Sequence, residues 1–355
     1  MTKYEKEYII IYDKRNFTYK DIAMIELKKE LNEILNVVKT TDVREFYKRL
    51  ANDVNPKMSP KHEKYFAKSL SEIDPYKIKP DIEIVESKEQ RELFKSAISF
   101  WSVPISAGYG RRINVILWDR YHNKVMAIAG LNDPVIGMEL RDKFIGWNKC
   151  QRHERLYNLM TAYVLGAVEP YNQLLGAKLI AMLIGSKEIT DYFTEKYKDK
   201  ETIIRKRKPI PKLVAIDTMG AFGQSAIYHS LKEWKFIGYT QGRTHYHLTL
   251  NGFWEKALEI AKQLNLNSLQ KNVYGNGANW KFRVLNELFH ILKIDDDVFE
   301  TGHRRGYYFR PLVANWKEFL TGQTNDVIYQ NKTKDEYIEF WKEKFLYKRV
   351  KKLGG

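Results

Sequence analysis

Apolar residues at two different spacings predict alternating strands and helices along the chain. Near the middle, Ile113 to Trp118 and Lys124 to Leu131 are short apolar runs joined by a polar turn, which predicts a β-hairpin. A third apolar run, Ala162 to Val168, meets Pro170, and apolar residues at helical spacing follow from about Gly176. The segment TAYVLGAVEPYNQLLGAKLIAMLI therefore predicts a strand, a sharp break and a helix, around which we expect the rest of the chain to be organised.

The pattern extends this arrangement in both directions. Further strands are predicted at Ile82 to Val85, Leu213 to Ile216 and Phe236 to Tyr239, with a helix from about Ser225 to Glu233 between the last two. Helical spacing dominates both ends of the chain. We therefore predict an α/β fold in three segments: a helical N-terminal region (1–80), an α/β core (81–250) and a mostly helical C-terminal region (251–355).

Charge suggests the kind of partner. The chain has 60 Lys and Arg against 44 Asp and Glu, a net charge of +16, and 14% of its residues are aromatic. Cations supply affinity for phosphates and flat rings can stack on bases, so this mixture predicts contact with DNA or RNA. The alternative is an ordinary solvated basic surface.

Two segments combine arginine with aromatic residues and are the predicted nucleic-acid surface. Guanidinium groups grip phosphates bidentately while neighbouring rings stack on bases. The alternative is a charged helix whose rings face the core. The candidates are Arg141, Trp147, Lys149, Arg152 and Arg155 in the first segment and Arg304, Arg305, Tyr307 and Arg310 in the second.

Cysteine and hydropathy indicate the compartment. Cys150 is the single cysteine, which excludes a disulfide framework and a cysteine zinc cluster. No stretch approaches the roughly 18 apolar residues that span a bilayer. We expect a soluble, cytoplasmic protein with no membrane partner.

Residues suited to chemistry fall at two places besides the central unit. Asp119 and His122 lie in or beside the hairpin turn and Asp133 follows the second strand, a trio suited to metal binding or proton transfer, although turn residues also cap their own backbone. His245 and His247 alternate on a predicted strand, so both would face one side and could hold a divalent metal. Tyr228 or Tyr274 would then be the nucleophile of a strand-cleaving enzyme.

The central unit also has a predicted ligand. A helix that starts directly after a strand presents free backbone N–H groups and the positive end of its dipole, which suits an anion. The alternative is a buried unit that binds nothing.

The order of the predicted elements resembles the acyl-CoA-dependent N-acetyltransferase (GNAT) superfamily. That family's phosphate-binding signature is Q/R-x-x-G-x-G/A, and Gln173 and Gly176 match its first two places, while Lys178 departs from the third. The resemblance implies a mixed sheet with flanking helices and an acyl-CoA cofactor. It also implies that a residue after the fifth strand, Ser225 or Tyr228, acts near the chemistry.

Seven segments in order between about residues 110 and 349 resemble the DruA family, which is associated with Druantia anti-phage defence and also found near mobile elements. They are DRYHNKVMAIAGLNDPV, RDKFIGW, YVLGAVEPYNQLLGAKLIAMLIGS, FGQSAIYHSL, THYHLTL, HRRGYYFRPLVANWKEFL and YIEFWKEKFLYKR.

The resemblance implies a role in defence and leaves three hypotheses open. The first is base modification through the GNAT-like core. The second is a non-catalytic DNA-binding subunit that recruits a helicase or nuclease. The third is a metal-dependent single-strand endonuclease that uses His245 and His247.

Overall fold

The computed structural model describes residues 19–105, 110–202, 206–249, 252–270, 280–301 and 303–354. They form two compact units, one made of the described parts of Met1–Phe46 and Gln241–His303, the other of the described parts of Tyr47–Thr240 and Arg304–Gly355. These boundaries differ from the expected segments 1–80, 81–250 and 251–355, because each unit joins pieces that are distant in sequence.

The secondary structure is mixed. The described strands are β1 (Pro80–Ile84), β2 (Arg112–Asp119), β3 (Lys124–Asn132), β4 (Leu159–Ala167), β5 (Ala215–Met219), β6 (Lys235–Tyr239) and β7 (Gly306–Pro311). The described α-helices are α1 (Tyr19–Thr40), α2 (Val43–Val54), α3 (Lys88–Ile98), α4 (Glu139–Ile145), α5 (Lys149–Arg155), α6 (Gly176–Leu183), α7 (Lys187–Tyr197), α8 (Phe253–Gln263), α9 (Trp280–Ile291), α10 (Trp316–Leu320), α11 (Lys334–Trp341) and α12 (Tyr347–Lys352). A π-helical stretch, Lys342–Leu346, joins the last two, and short 3₁₀ helices occur at Pro60–Tyr65, Leu70–Glu72, Leu156–Asn158, Tyr246–Thr249, Asn267–Leu269 and Asp296–Phe299. None of the described helices is long and apolar enough to cross a membrane.

The larger unit is built on one seven-stranded sheet in the order β1-β2-β3-β4-β5-β7-β6. Only β4 and β5 run parallel to each other, and every other neighbouring pair is antiparallel. A parallel pair needs a crossover connection, and here α6 and α7 lie in the chain between the two strands. The fold is therefore α/β with a mixed sheet and flanking helices.

Alternation along the strands produces a core on each face of the sheet. Val115 and Leu117 of β2 pack with α6, α7 and α11 on one face, whereas Ile116 and Trp118 pack with α3 on the other. Farther along the sheet, Phe309 of β7 joins a third cluster that includes residues of α4 and α10. The smaller unit has its own core between α1, α8 and α9. Because successive side chains point to opposite faces, strands of a sheet that is covered on both faces are buried at nearly every position, as β2 and β3 are.

Several predicted elements are confirmed. The hairpin is formed by β2 and β3, β4 is followed by a break at Pro170 and by α6, and β5 and β6 lie close to the predicted strands. These elements have strong local periodicity, which explains why the sequence indicated them.

The predicted helix from Ser225 to Glu233 is wrong, because this segment consists of turns. The Lys178 ammonium donates to the carbonyl oxygens of Ala226 (2.8 Å), Ile227 (3.0 Å) and His229 (2.5 Å). An α-helix would use such carbonyls for its own hydrogen bonds. A side chain from α6 thus holds the segment as a series of turns.

Candidate functional site: the divergence of strands β4 and β5

The two parallel strands separate in the middle of the sheet. Pairing between β4 and β5 runs from Leu159 with Ala215 to Ala162 with Thr218. Beyond that point β4 continues to Ala167 paired with β3. Among the described residues, β4 from 163 to 167 has no strand partner on the β5 side. A strand with one unpaired edge has backbone N–H and C=O groups available to a ligand.

A β-bulge marks the point of separation. The register of β3 and β4 passes from Gly130 with Val164 to Leu131 with Ala162, which leaves Tyr163 as the extra residue. The Tyr163 ring lies so close to Gly130 that an added Cβ there would stand 2.5 Å from it. Bulges bend strands and are frequent beside active sites. We name the gap between β4 and β5, starting at this bulge, the divergence.

The residues predicted for a cofactor do lie together at the start of α6. The Gly176 N–H donates to the Tyr171 carbonyl at 3.0 Å, and an added Cβ would stand 3.0 Å from that same oxygen. The Gln173 carbonyl accepts from Arg349 Nε at 2.9 Å. The Lys178 ammonium, whose pKa is lowered by burial, is directed at the turns after β5. Lys178 therefore binds protein carbonyls and holds those turns in place.

Ser225 and Tyr228 lie beside the divergence. The Tyr228 hydroxyl is hydrogen-bonded to Thr218, and the Thr218 hydroxyl donates to the Ala162 carbonyl at 2.8 Å, at the last paired position of β4 and β5. Burial raises the pKa of Tyr228, so its phenol stays protonated at neutral pH. The Ser225 N–H donates to the Tyr308 hydroxyl at 2.7 Å. Both residues remain candidates for chemistry.

A series of rings leads from the divergence to the edge of the sheet. The Tyr228 and Tyr308 ring centroids are 4.5 Å apart, Tyr308 and Phe236 are 5.4 Å apart, and Phe236 and Tyr239 are 5.2 Å apart. Tyr228 and Tyr308 are buried, whereas Phe236 is 40% and Tyr239 46% exposed on the edge strand β6. We call these four residues the aromatic row. Phe236 and Tyr239 were predicted only as part of a strand.

The first predicted nucleic-acid segment is largely interior. Arg141 is fully buried and donates to the carbonyls of Val135 (2.7 Å) and Ile136 (2.9 Å) and to Asp142. Trp147 donates to Asp142 at 2.9 Å, and Arg152 does so at 2.8 Å. Burial alone would raise the pKa of Asp142, but Arg141 and these hydrogen bonds hold it below its usual range.

The two remaining candidates of this segment differ in their surroundings. Arg155 donates to Asn325 at 2.6 Å and lies 4.6 Å from the centroid of the Phe319 ring, whereas Lys149 is exposed. Arg141 and Trp147 therefore cannot form the expected surface, because they face the core of the sheet.

The second predicted segment is mainly the buried strand β7. Tyr307 donates to Asp217 at 2.9 Å, and Thr161 also donates to this carboxylate, whose pKa burial raises. Arg310 is buried against the end of α6. Arg304 is exposed, and the half-buried Arg305 donates to the Gly220 carbonyl at 2.9 Å. The prediction that Tyr307 and Arg310 lie on a nucleic-acid surface is therefore wrong, because both are buried. Buried residues of the two segments pack together in the core instead.

Asp119 and His122 are in contact, but their hydrogen bonds indicate a structural role. Asp119 accepts from His122 Nδ1 at 2.5 Å and from the Tyr171 hydroxyl at 2.9 Å. His122 Nε2 accepts from the Asp74 N–H at 3.0 Å, which assigns the ring proton to Nδ1. Both ring nitrogens are thus occupied, and the pair joins the hairpin to the preceding loop. Asp133 pairs with Arg111 at the opposite end of the hairpin, so the predicted trio does not form.

The predicted strand carrying His245 and His247 is wrong, because Tyr246–Thr249 is a 3₁₀ helix. His247 is buried and its Nε2 lies 2.8 Å from the Val298 carbonyl, to which it donates. Burial, with Lys281 and His247 nearby, lowers the pKa of His245 to about 4. In the described part of the chain no three His, Cys, Asp or Glu residues are grouped as a metal site, and Tyr274 lies outside it. The geometry expected for a metal nuclease is therefore absent there.

Comparison with known proteins identifies the family. A family model described as "Druantia protein DruA" matches residues 28–322. A protein of Escherichia coli (strain UMEA 4076-1) named "Druantia protein DruA" is 37% identical over 263 residues, which cover 72% of this chain and 65% of that protein. The chain thus spans less than two thirds of the length of this relative. No solved structure matches the chain. On the family match and this identity, the chain belongs to the DruA family.

Proposed function

We propose that this chain binds nucleic acid as part of anti-phage defence and that the aromatic row receives unstacked bases. The observation that carries the proposal is the pair of exposed rings, Phe236 and Tyr239, in contact with buried rings that reach the divergence. The Druantia name of the family supports the role in defence. The net charge of +16 favours a phosphate-bearing partner.

A cation lies near the exposed rings. The exposed Arg304 precedes β7, whose first residue pairs with Tyr239. A phosphate beside this cation would leave the bases free to stack on the two rings. Because stacking needs an open base face, we favour single-stranded DNA, or a base displaced from a duplex, over an intact duplex.

A second candidate function is modification of such a base with an acyl-CoA cofactor held in the divergence. The hairpin, β4, α6 and β5 follow one another as in the GNAT resemblance, and the unpaired edge of β4 offers backbone groups to an extended cofactor. Tyr228 is protonated and hydrogen-bonded to Thr218 at the last paired position of β4 and β5, so it is the candidate acid. The turns at Ser225 to Glu233 depart from the helix that the resemblance implied.

A non-catalytic DNA-binding subunit that recruits a helicase or nuclease is the alternative. Lys178 supports it, because its ammonium is bonded to three carbonyls beside the place where the phosphates of a cofactor would lie.

The double substitution Phe236→Ala with Tyr239→Ala should weaken binding of a labelled single strand by at least about tenfold. Stacking contributes about 1 to 3 kcal/mol per base, and both exposed rings would be lost. Fluorescence anisotropy at two salt concentrations measures this. Tyr121→Ala is the matched control, because Tyr121 is 56% exposed on the β2–β3 turn, away from the row.

The salt dependence of the affinity distinguishes the contribution of the rings from that of the cations. The double variant should keep the slope of affinity against salt, since no cation is removed. Equal affinity of the wild type and the double variant, or an equal loss in Tyr121→Ala, would contradict the proposal.

If the divergence holds acyl-CoA, saturating acetyl-CoA should raise the unfolding temperature of the wild-type chain. Ligand at about 100 times its dissociation constant stabilises a protein by roughly 3 kcal/mol. Tyr228→Phe should preserve this shift, because the ring remains, and should abolish acetyl transfer to DNA. The absence of any shift with acetyl-CoA would reject the cofactor and favour the non-catalytic subunit.

A further inference from the structure

A cavity of about 480 Å³ lies at the end of β6 and β7 away from Tyr239 and Arg304. Its wall includes four cationic side chains, Lys232, Lys235, Lys332 and Arg310, with the aromatic Trp316 and Tyr337. Glu233 is the carboxylate among its described lining residues. Ligand-binding clefts for small molecules have volumes of about 300 to 1,000 Å³, so the cavity can contain a nucleotide.

Arg310 is a buried cation without an anionic partner. Its side chain is 1% exposed, and it donates to the carbonyls of Ala181 (2.7 Å) and Met182 (2.8 Å) and to the Tyr337 hydroxyl (2.9 Å). Its Nε has no partner among the described residues, and no described carboxylate pairs with the group. A buried charge is costly unless it is compensated. The carbonyls at the end of α6 compensate in part, and an anion in the cavity would add the missing counter-charge.

The packing around Arg310 keeps this arrangement. A Cβ added at Gly185 would stand 2.4 Å from the guanidinium carbon of Arg310. Glycine at this position therefore leaves the guanidinium the space it occupies between the end of α6 and the cavity.

The three lysines add exposed positive charge at the mouth. In the part of the chain that the structure describes, Lys232, Lys235 and Lys332 form no ion pair. The Lys235 ammonium lies 5.8 Å from the centroid of the Trp316 ring, and Phe144 is stacked on Trp316 at 5.3 Å. The Lys332 ammonium lies 5.6 Å from the centroid of the Phe340 ring, and its charge helps to lower the pKa of Glu336. Three ammonium groups outside ion pairs around one opening suit a ligand with several negative charges.

We propose that this cavity binds the phosphate groups of a nucleotide. Lys232, Lys235 and Lys332 contact the phosphates at the mouth, Arg310 supplies positive potential from below, and Trp316 offers a surface for the base. Lys235 and Phe236 are neighbours on β6, but Lys235 pairs with Phe309 and Phe236 pairs with Tyr308, so the two side chains lie on opposite faces of the sheet. The cavity is therefore separate from the aromatic row. The proposal therefore does not depend on the proposed nucleic-acid function.

Isothermal titration calorimetry with ATP and with inorganic pyrophosphate tests the site on the full chain. The substitution pair Lys235→Ala and Lys332→Ala should weaken binding of both by at least about tenfold, because two of the cations that contact the phosphates are lost. The matched control is Lys317→Ala with Lys348→Ala, which removes two exposed lysines outside the cavity and should leave both affinities unchanged. Thermal unfolding of both variants should match the wild type.

The source of the phosphate is distinguished by a second pair of probes. A five-nucleotide strand with a 5′-phosphate is compared with the same strand carrying a 5′-hydroxyl. If only the phosphorylated strand binds and the cavity variant loses this preference, the phosphate comes from a strand end. If ATP binds and the strand end gives no preference, the ligand is a free nucleotide. Failure of every probe to bind at millimolar concentration, or binding by the cavity variant as tight as the wild type's, would overturn the proposal.

Discussion

Replacing Arg141 by alanine should lower the free energy of unfolding of the larger unit by about 3 to 5 kcal/mol, which is the usual cost of removing one partner from a buried ion pair. Arg141 is fully buried and donates to two backbone carbonyls and to Asp142. Its loss leaves those carbonyls unsatisfied and removes the positive charge that compensates Asp142 and the buried Asp217. Urea unfolding followed by circular dichroism measures this, and the unfolding temperature should fall by on the order of 10 °C.

Arg152→Ala is the control for this substitution. Arg152 pairs with the same carboxylate but is 22% exposed, so water can replace its contact and the loss should be smaller. If Arg141→Ala left stability unchanged and weakened DNA binding, Arg141 would be the phosphate contact that the sequence predicted.

Asp119→Ala should destabilise the larger unit by more than about 3 kcal/mol. Asp119 is fully buried and accepts hydrogen bonds from His122, the Tyr171 hydroxyl and the N–H groups of Lys79 and Tyr121. Each buried donor left without a partner costs about 1 to 3 kcal/mol. Urea unfolding at pH 7 measures the loss.

Asp133→Ala provides the comparison at the other end of the hairpin. Asp133 is 30% exposed and pairs with Arg111, so its loss should cost less than that of Asp119. A stable Asp119→Ala protein that had lost an activity on DNA would instead support the catalytic role expected from the sequence.

The sequence predicted the parts of the fold that depend on local periodicity. The β2–β3 hairpin, β4 and the start of α6 near Gly176 follow from runs of apolar residues interrupted by turn residues. The grouping of Gln173, Gly176 and Lys178 at one helix start also followed from a local motif. The contacts of Lys178 could not be predicted from this motif, because its partners lie about fifty residues later in the chain.

The exposure of the arginines and rings depended on long-range packing. The run GYYFRP is a buried strand between β5 and β6, although arginines precede it and Arg310 lies within it. Nothing in the local pattern shows that the end of α6 supplies carbonyls to Arg310. Conversely, Phe236 and Tyr239 are exposed because β6 is an edge strand, and only the strand order reveals this.

The histidine motif shows the same limit. Alternation of His245 and His247 predicted a strand, but these residues follow β6 within a few positions and belong to the smaller unit, outside the sheet. A 3₁₀ turn and burial of His247 against the Val298 carbonyl replace the predicted geometry. Short alternating patterns cannot distinguish a strand from a turn when the neighbouring strands are unknown.

The most direct test of the central claim, that bases lie on the aromatic row, is ultraviolet cross-linking of the full chain to a single strand carrying 5-bromodeoxyuridine, followed by mass spectrometry of the peptides. We expect the cross-links to fall on Phe236 and Tyr239, the exposed rings of β6. Cross-links confined to Tyr76 and Tyr121, which are exposed elsewhere on the larger unit, or to peptides of the smaller unit, would contradict the account.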